Sequence, residues 1–203
     1  MSEQGTPEWL EARRGKVTAS RIKDIITRTK SGYSAARGKY RNELIAERLT
    51  GAPVIAYVNE SMRWGTQNEP AARLAYESKT GNLVEEVGFV PHPTIPDAGA
   101  SPDGLIEDDA TLEIKCPNTT THIETLLSGA VPEDHIPQIQ WQLACTDRQF
   151  CVFASYDPRM PEGMDLFVTA VERDDDMIDD ITREVVKFLQ EVEETINRLK
   201  GTF

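Results

Sequence analysis

The stretch that decides the fold reads GASPDGLIEDDATLEIKCP, from Gly99 to Pro117. It places one acid, Asp103, after a Ser-Pro pair, then sets Glu113 and Lys115 two residues apart in an otherwise apolar run. On a strand, residues i and i+2 leave the same face. Glu113 and Lys115 therefore project together, while Leu112, Ile114 and Cys116 can face a core. Charges are costly to bury unless they pair or hold a metal. A turn through the EDDA segment, residues 107–110, would fold an Asp103–Ile106 strand back on a Leu112–Cys116 strand and bring Asp103 beside Glu113. Two carboxylates with a nearby backbone carbonyl make a hard-oxygen site suited to Mg²⁺ or Mn²⁺. A lysine there can hold a water or hydroxide and stabilise negative charge. The plainer alternative is a Glu–Lys strand pair with an unrelated loop aspartate.

Working outward, the texture changes on either side of this core. Thr6-Pro7 predicts an N-cap and first-position proline for a short helix over Glu8–Arg14, closed by Gly15. Thr18 is a candidate cap for a second helix with Ile22, Ile25 and Ile26 on one face. Ser34 begins a third, with Tyr40, Leu44, Ile45 and Leu49 as its stripe and Gly51 as its stop. TQNE at Thr66–Glu69 fits a capping box for a fourth helix ending at Gly81. Leu83–Val90, Phe150–Ser155 and Leu166–Glu172 read as strands, and His122–Ser128 and Ile136–Cys145 as helices. The last 25 or so residues repeat apolar positions at Met177, Ile181, Val185, Phe188, Leu189, Val192 and Ile196, a long amphipathic helix. Asp174–Asp176 is its acidic start. The fold class is α/β: a mixed sheet covered by helices. One domain over residues 1–203 is the simplest division, with a helical part at about 6–81, a catalytic sheet at about 83–172 and a C-terminal helix at about 174–200.

Of the 203 residues, 39% are hydrophobic and 28% charged, ordinary for a globular chain. No apolar run approaches the ~18 residues of a membrane span, and the start lacks the apolar core of a signal peptide. The three cysteines, Cys116, Cys145 and Cys151, form no CxxC pattern, which fits a reducing cytoplasm and buried small side chains. The histidines His92, His122 and His135 lack zinc spacing and read as structural or surface residues. No GxxxxGK[ST] loop is present, so ATP-driven translocation is not expected.

The net charge of −12 is unevenly spread: residues 1–80 carry 14 Lys/Arg against 9 Asp/Glu, a net of +5, and residues 81–203 carry 8 against 25, a net of −17. Ten basic residues and a single acid, Asp24, lie between Arg13 and Arg41. Such a block is either a phosphate-binding surface or a solvated face paired with the acidic half. An acidic exterior with one basic region would keep DNA off the other surfaces.

SPDG, with LEIKCP placing Glu113 ten residues after Asp103, resembles the nuclease motif PD-(D/E)xK. RRGKVTASR, MRWGTQNEPAA, GASPDGL, LEIKCP, QIQWQL, YDPRMPEG and VERDD, in that order, together resemble the bacteriophage lambda exonuclease family of viral-recombinase alkaline exonucleases. The resemblance implies a restriction-endonuclease-like core and processive 5′-to-3′ digestion of duplex DNA ends, dependent on Mg²⁺ or Mn²⁺ with two ions per site. The product would be a long 3′ overhang. It also implies a homotrimeric ring around the DNA and a single-strand annealing protein as partner. Asp103 and Glu113, with the Ile114 carbonyl, match the family's metal ligands, and Lys115 matches the residue that positions the attacking water. Glu69 matches an additional acid near the metals, or is simply the capping-box glutamate. Arg13, Ser20, Ser101 and Gln138 occupy the places of a 5′-phosphate pocket, although Gln140 and Gln142 follow at the same spacing and a helix would turn the three to different faces. Met62 falls where the family has an apolar wedge at the duplex fork, or is an ordinary core methionine. Lys30 is a further candidate DNA contact. Two alternatives remain: a site-specific endonuclease on the same core, and a non-catalytic DNA-end-binding module that loads an annealing protein.

Overall fold

The structure is a computed structural model and describes residues 3–54 and 59–202. Helix α1 (Pro7–Arg13) starts as its sequence predicts: the Thr6 hydroxyl accepts from the Trp9 amide at 3.3 Å, and Pro7 takes the first helical position. Thr18 does not cap a helix. Its side chain makes no cap bond, and it belongs instead to a two-residue strand, β1 (Val17–Thr18). A 3-10 turn at Ala19–Arg21 then leads into α2 (Ile22–Ile26) and a small hairpin, β2 (Arg28–Thr29) with β3 (Gly32–Tyr33). In α3 (Ala35–Thr50), Tyr40, Leu44 and Ile45 are buried, but Leu49, expected on the same stripe, is 46% exposed. Gly51 ends the helix in left-handed backbone at φ +70°.

Helix α4 (Glu60–Thr80) begins well before the expected capping box. Its cap is Asn59, whose side chain accepts from the Met62 amide at 2.8 Å. Thr66 lies within the helix and donates its hydroxyl back to the Met62 carbonyl at 3.2 Å. Leu83–Val90 is not a continuous strand. A bridge between Glu85 and Leu105 and a two-residue strand, β4 (Val90–Pro91), are all that pair there. Proline has no amide to continue a ladder, and Leu83 is largely exposed.

β5 (Ala98–Ala100) lies between β1, to which it runs parallel, and β4, to which it is antiparallel. The main sheet follows. β6 (Gly104–Ile106) turns back on β7 (Ala110–Lys115); the chain crosses over through α5 (Thr119–Ser128) and α6 (Ile136–Thr146); β8 (Phe150–Tyr156) then pairs parallel to β7; β9 (Leu166–Glu172) closes the edge antiparallel to β8. Alternation sorts the two faces. Leu112, Ile114, Val152 and Ala154 pack under Ala72 and Tyr76 of α4. Cys151 and Phe153 pack under Ile139 and Leu143 of α6. Glu113 shares the α6 face, so its carboxylate is carried beneath a helix rather than into water. The last helix, α7 (Asp175–Thr202), buries the predicted stripe against α2, α3 and α6, with Phe188 stacked on Tyr40 at 5.4 Å. Asp174 caps it by accepting from the Met177 amide at 2.9 Å.

Much of the basic block is paired with acids. Arg21 bridges Asp24 and Glu43, Lys23 reaches Asp134, Arg28 meets Glu184, and buried Arg37 is held by Glu184 and Glu191 on α7. Lys23, Arg28 and Arg37 pair with the acidic half, as the second expectation has it, whereas Arg21 pairs within the basic half. Lys30 sits in the exposed turn of the β2–β3 hairpin.

β5 sits where the two layers meet, and a side chain at Gly99 has no room. A Cβ there would stand 2.3 Å from the Phe89 ring and 2.5 Å from the Val90 carbonyl oxygen. Gly99→Ala is expected to destabilise the protein by about 1–3 kcal/mol through overpacking. Denaturant unfolding would read this as a lower midpoint at constant slope. A wild-type midpoint would refute the close approach.

Candidate active site

The end of β7 opens into a cavity of about 830 Å³. Asp103, Glu113, Ile114 and Lys115 form part of its wall, joined by Glu69 and Met62 of α4, Arg13 of α1, Ser20, Ser101 and Gln138. All of the sequence-predicted site residues except Lys30 therefore border one space. Met62 is 50% exposed there and is not a core residue.

The β6–β7 hairpin delivers the central acids as the register requires. Gly104 pairs with Leu112, so Asp103 stands one step before the ladder; its amide donates to the Leu112 carbonyl at 3.1 Å and its carboxylate accepts from the Ile114 amide at 2.7 Å. Glu113 is fully buried. One carboxylate oxygen accepts from Lys115 and from the Gln138 amide at 2.6 Å, and the other from the Gln142 amide at 2.6 Å. The three glutamines of α6 thus divide differently from expectation. Gln138 and Gln142 lie four residues apart, nearly a full turn, and share one face. Only Gln140 turns away, to bond the Glu172 carbonyl and the Asp174 amide.

Electrostatics single out the same groups. Burial pushes the Asp103 carboxyl well above the usual carboxylate range, and the charges of Glu113 and Glu69 push it further. Burial also raises Glu69, against the pull of Arg73. For Lys115, burial alone would lower the ammonium, but Glu113 and Asp103 outweigh it and keep it above its ordinary value. The site therefore crowds three acids around one lysine, and Asp103 holds its proton more tightly than an ordinary carboxyl. Burial pushes the neighbouring Cys116 thiol up to about 12, which removes it as a nucleophile near neutral pH.

Among the described residues, no three His, Cys, Asp or Glu side chains close into a ready ligand set. Glu69 is drawn to Arg73, at 3.4 Å, rather than into a cluster with the other two acids. The donor chemistry nevertheless fits a hard divalent cation: two adjacent carboxylates and a backbone carbonyl, all oxygen donors. Asp103 and Glu113, with the Ile114 carbonyl, are the groups that would hold it.

Arg13 lies over the Trp9 ring, 4.1 Å from its centroid, and donates to the Ser101 hydroxyl at 3.1 Å. That hydroxyl also accepts from the Trp9 indole at 3.0 Å, which leaves its own proton free to donate. Ser20 faces the same space from the 3-10 turn. Sequence reasoning did not assign Trp9, Trp64, Arg159 or His135 to the site, yet all four line the cavity. His135, read as structural or surface, is stacked on Phe153, and burial lowers its pKa. The signal for Arg159 lay in the quoted YDPRMPEG segment, where a proline-flanked Asp-Pro-Arg follows a strand.

Comparison with known proteins places this geometry. No curated protein sequence matches the chain. Two solved structures cover 97% of it, and 97% of their own chains, at 50% identity: an alkaline exonuclease, LHK-Exo, from Laribacter hongkongensis, with a TM-score of 0.90, and LHK-Exo in complex with dAMP, with a TM-score of 0.91. A phage-related exonuclease from Haemophilus somnus 129PT shares the fold at a TM-score of 0.72 over 94% of this chain and 99% of its own, with 13% identity. Residues 8–149 match the model of the YqaJ-like viral recombinase domain. With that match spanning both the Arg13 wall and the Asp103–Lys115 hairpin, the chain belongs to the YqaJ-like viral recombinase family.

Proposed function

We propose that this protein is a divalent-metal-dependent exonuclease that digests one strand of duplex DNA from its 5′ end, processively, releasing mononucleotides and leaving a 3′ overhang for annealing recombination. The observation that carries this reading is the shared cavity, in which an acid–lysine hairpin faces an arginine–serine pocket. Membership of a viral recombinase family and 50% identity to an alkaline exonuclease support an exonuclease role. The solved complex of that relative with dAMP supports mononucleotide release.

Two Mg²⁺ or Mn²⁺ ions would neutralise charge on the scissile phosphate and on the departing oxygen. The chain's own residues do the rest. Lys115, held charged beside Glu113, donates a hydrogen bond to the attacking water and orients it toward phosphorus. Gln138 and Gln142 fix the Glu113 carboxylate so that it cannot swing with each turnover. Arg13 presents a guanidinium fork to the oxygens of a 5′-phosphate, with Ser101 and Ser20 as neutral donors. A terminal phosphate carries more charge than an internal diester, so this pocket distinguishes a fresh end from the strand behind it, and each cut regenerates its ligand. Met62, exposed on the rim, is the wedge at the fork, and Lys30 is a more distant backbone contact. A cytoplasmic site of action fits its three unpaired cysteines. No described helix is long and apolar enough to cross a membrane.

The deciding experiment uses linear duplex labelled at either end, a closed circle as control, and Mg²⁺ or EDTA. Label at the 5′ end should be released first, only with Mg²⁺, and the circle should survive; a nicked circle would favour the endonuclease alternative. On matched substrates, 5′-phosphorylated duplex should be degraded at least ~10-fold faster than 5′-hydroxyl duplex, since a hydrogen bond to a charged group contributes roughly 1.5–3 kcal/mol. Arg13→Ala should bring that ratio towards one. An unchanged ratio removes Arg13 from the pocket.

Asp103 gives a prediction independent of turnover. Its raised pKa means that the folded protein binds a proton the unfolded chain has already lost, so metal-free protein loses stability as pH rises through that interval. Asp103→Asn removes the penalty. The variant should melt higher than wild type in EDTA at about pH 8, with the gain shrinking as pH falls toward the ordinary carboxylate range. Mg²⁺ should raise the wild-type Tm and leave the variant's unchanged. A variant that melts lower in EDTA at alkaline pH would overturn this account.

Processive digestion by a chain of net charge −12 requires its few unpaired cations to face an enclosed space. We infer a ring of three protomers around the duplex, which then hands its overhang to a single-strand annealing protein. Light scattering should return three times 22.7 kDa. A processive monomer would sink the ring.

A further inference from the structure

The DPR segment after β8 builds a second braced arginine in the same cavity. Asp157 is fully buried and accepts from the Thr119 hydroxyl at 2.6 Å, the Arg159 amide at 3.0 Å, and the Arg159 guanidinium through Nε at 2.7 Å and Nη2 at 3.0 Å. Burial alone would raise this carboxyl, but the bonds from Arg159 and Thr119 outweigh it and bring it to about 2, so it stays ionised. The guanidinium plane is laid over the Trp64 ring, 4.3 Å from its centroid. Nη2 also reaches the Pro117 carbonyl at 3.5 Å. One edge of the fork is thus spent on Asp157, while Nη1 has no acceptor among the described residues and the side chain is 47% exposed at the cavity. A purely structural arginine would be expected to turn all of its donors inward. This one is fixed at one edge and open at the other.

Its place mirrors that of Arg13. Arg13 lies on Trp9 and is tied to Ser101, two residues before Asp103. Arg159 lies on Trp64 and reaches Pro117, two residues after Lys115. The hydrolytic hairpin runs between the two. We propose that Arg159 grips a backbone phosphate of the digested strand on the far side of the scissile bond from Arg13. The strand is then held at two points, with the bond to be cut between them. Asp157 offsets part of the field of Arg159 but fixes its orientation in advance, which favours one phosphate position over general attraction. This inference rests on the exonuclease reading and adds the second grip.

The test is a binding cycle in EDTA, where no cutting occurs, with 5′-phosphorylated duplex carrying a single neutral methylphosphonate at successive positions of the digested strand. Wild type should lose about tenfold in affinity at one position, the size of one hydrogen bond to a charged group. Arg159→Met should bind unmodified duplex about tenfold more weakly, lose nothing further at that position, and reduce the salt slope by about one. Removing the guanidinium leaves Asp157 buried and unpaired, so Arg159→Met must first be shown folded by its Tm. Arg159→Lys keeps a cation beside Asp157 but has no fork, and its coupling to that phosphate should fall at least threefold. Losses that add independently at every position, in either variant, would overturn the proposal. A wild-type protein that fails to bind duplex at all would instead overturn the exonuclease reading.

Discussion

A charged carboxylate buried beneath a helix is the constraint around which this molecule is arranged. Glu113 lies on a central strand, on the face that α6 covers, and among the described residues three donors reach it: Lys115 from its own strand and Gln138 and Gln142 from the helix. Breaking a buried pair by removing one partner typically costs about 3–5 kcal/mol. The spacing of the glutamines, the rotation of α6 and the parallel register of β7 and β8 are therefore fixed together. Gln142 is committed so completely that its carbonyl oxygen is left buried without a partner. That unpaired acceptor is a cost of placing the acid where it is.

The opposite face of the sheet shows what an uncharged version of the same packing looks like. Leu112, Ile114, Val152 and Ala154 meet Ala72 and Tyr76 of α4 in one buried apolar cluster. The α4 face is apolar, whereas the α6 face combines a smaller apolar cluster with the buried Glu113. α4 serves both core and cavity: its C-terminal half packs through Ala72 and Tyr76, while Met62, Trp64 and Glu69 of its N-terminal half line the cavity. Among the described residues, α7 contributes none to the cavity wall. It closes the second core and neutralises Arg28 and Arg37 through Glu184 and Glu191.

What could be read from the sequence follows from periodicity and failed where periodicity is short. β7, β8, β9 and the α6 and α7 helices were legible because each has several turns or alternations, and the turn residues before Ala110 placed short β6 against β7. The two- and three-residue strands β1, β4 and β5 were not, since so few residues carry no pattern. The capping box at Thr66 misled because its spacing also occurs inside helices, and Asn59 supplied the cap instead. The ten-residue step from Asp103 to Glu113 identified the hairpin that carries the acids. The i,i+4 relation of Gln138 and Gln142 was in plain view but was overlooked in favour of their alternation. Arg159 could not be assigned, because its role depends on Trp64 and Pro117, which are 95 and 42 positions away in the chain.

The parallel pairing of β7 with β8 also governs how the protein comes into being. The two strands are separated by the whole α5–α6 crossover, from Lys115 to Phe150, so their pairing closes a long loop and forms slowly compared with the hairpins on either side. Until it closes, Glu113 has no helix above it and Asp157 lacks its bond from the Thr119 hydroxyl. A chain leaving the ribosome can form its helical first third and the β6–β7 hairpin early. The hydrolytic site can appear only after residue 159 has emerged and the crossover has docked. Synthesis itself therefore delays the appearance of a nuclease until the strands on both sides of the crossover have been made.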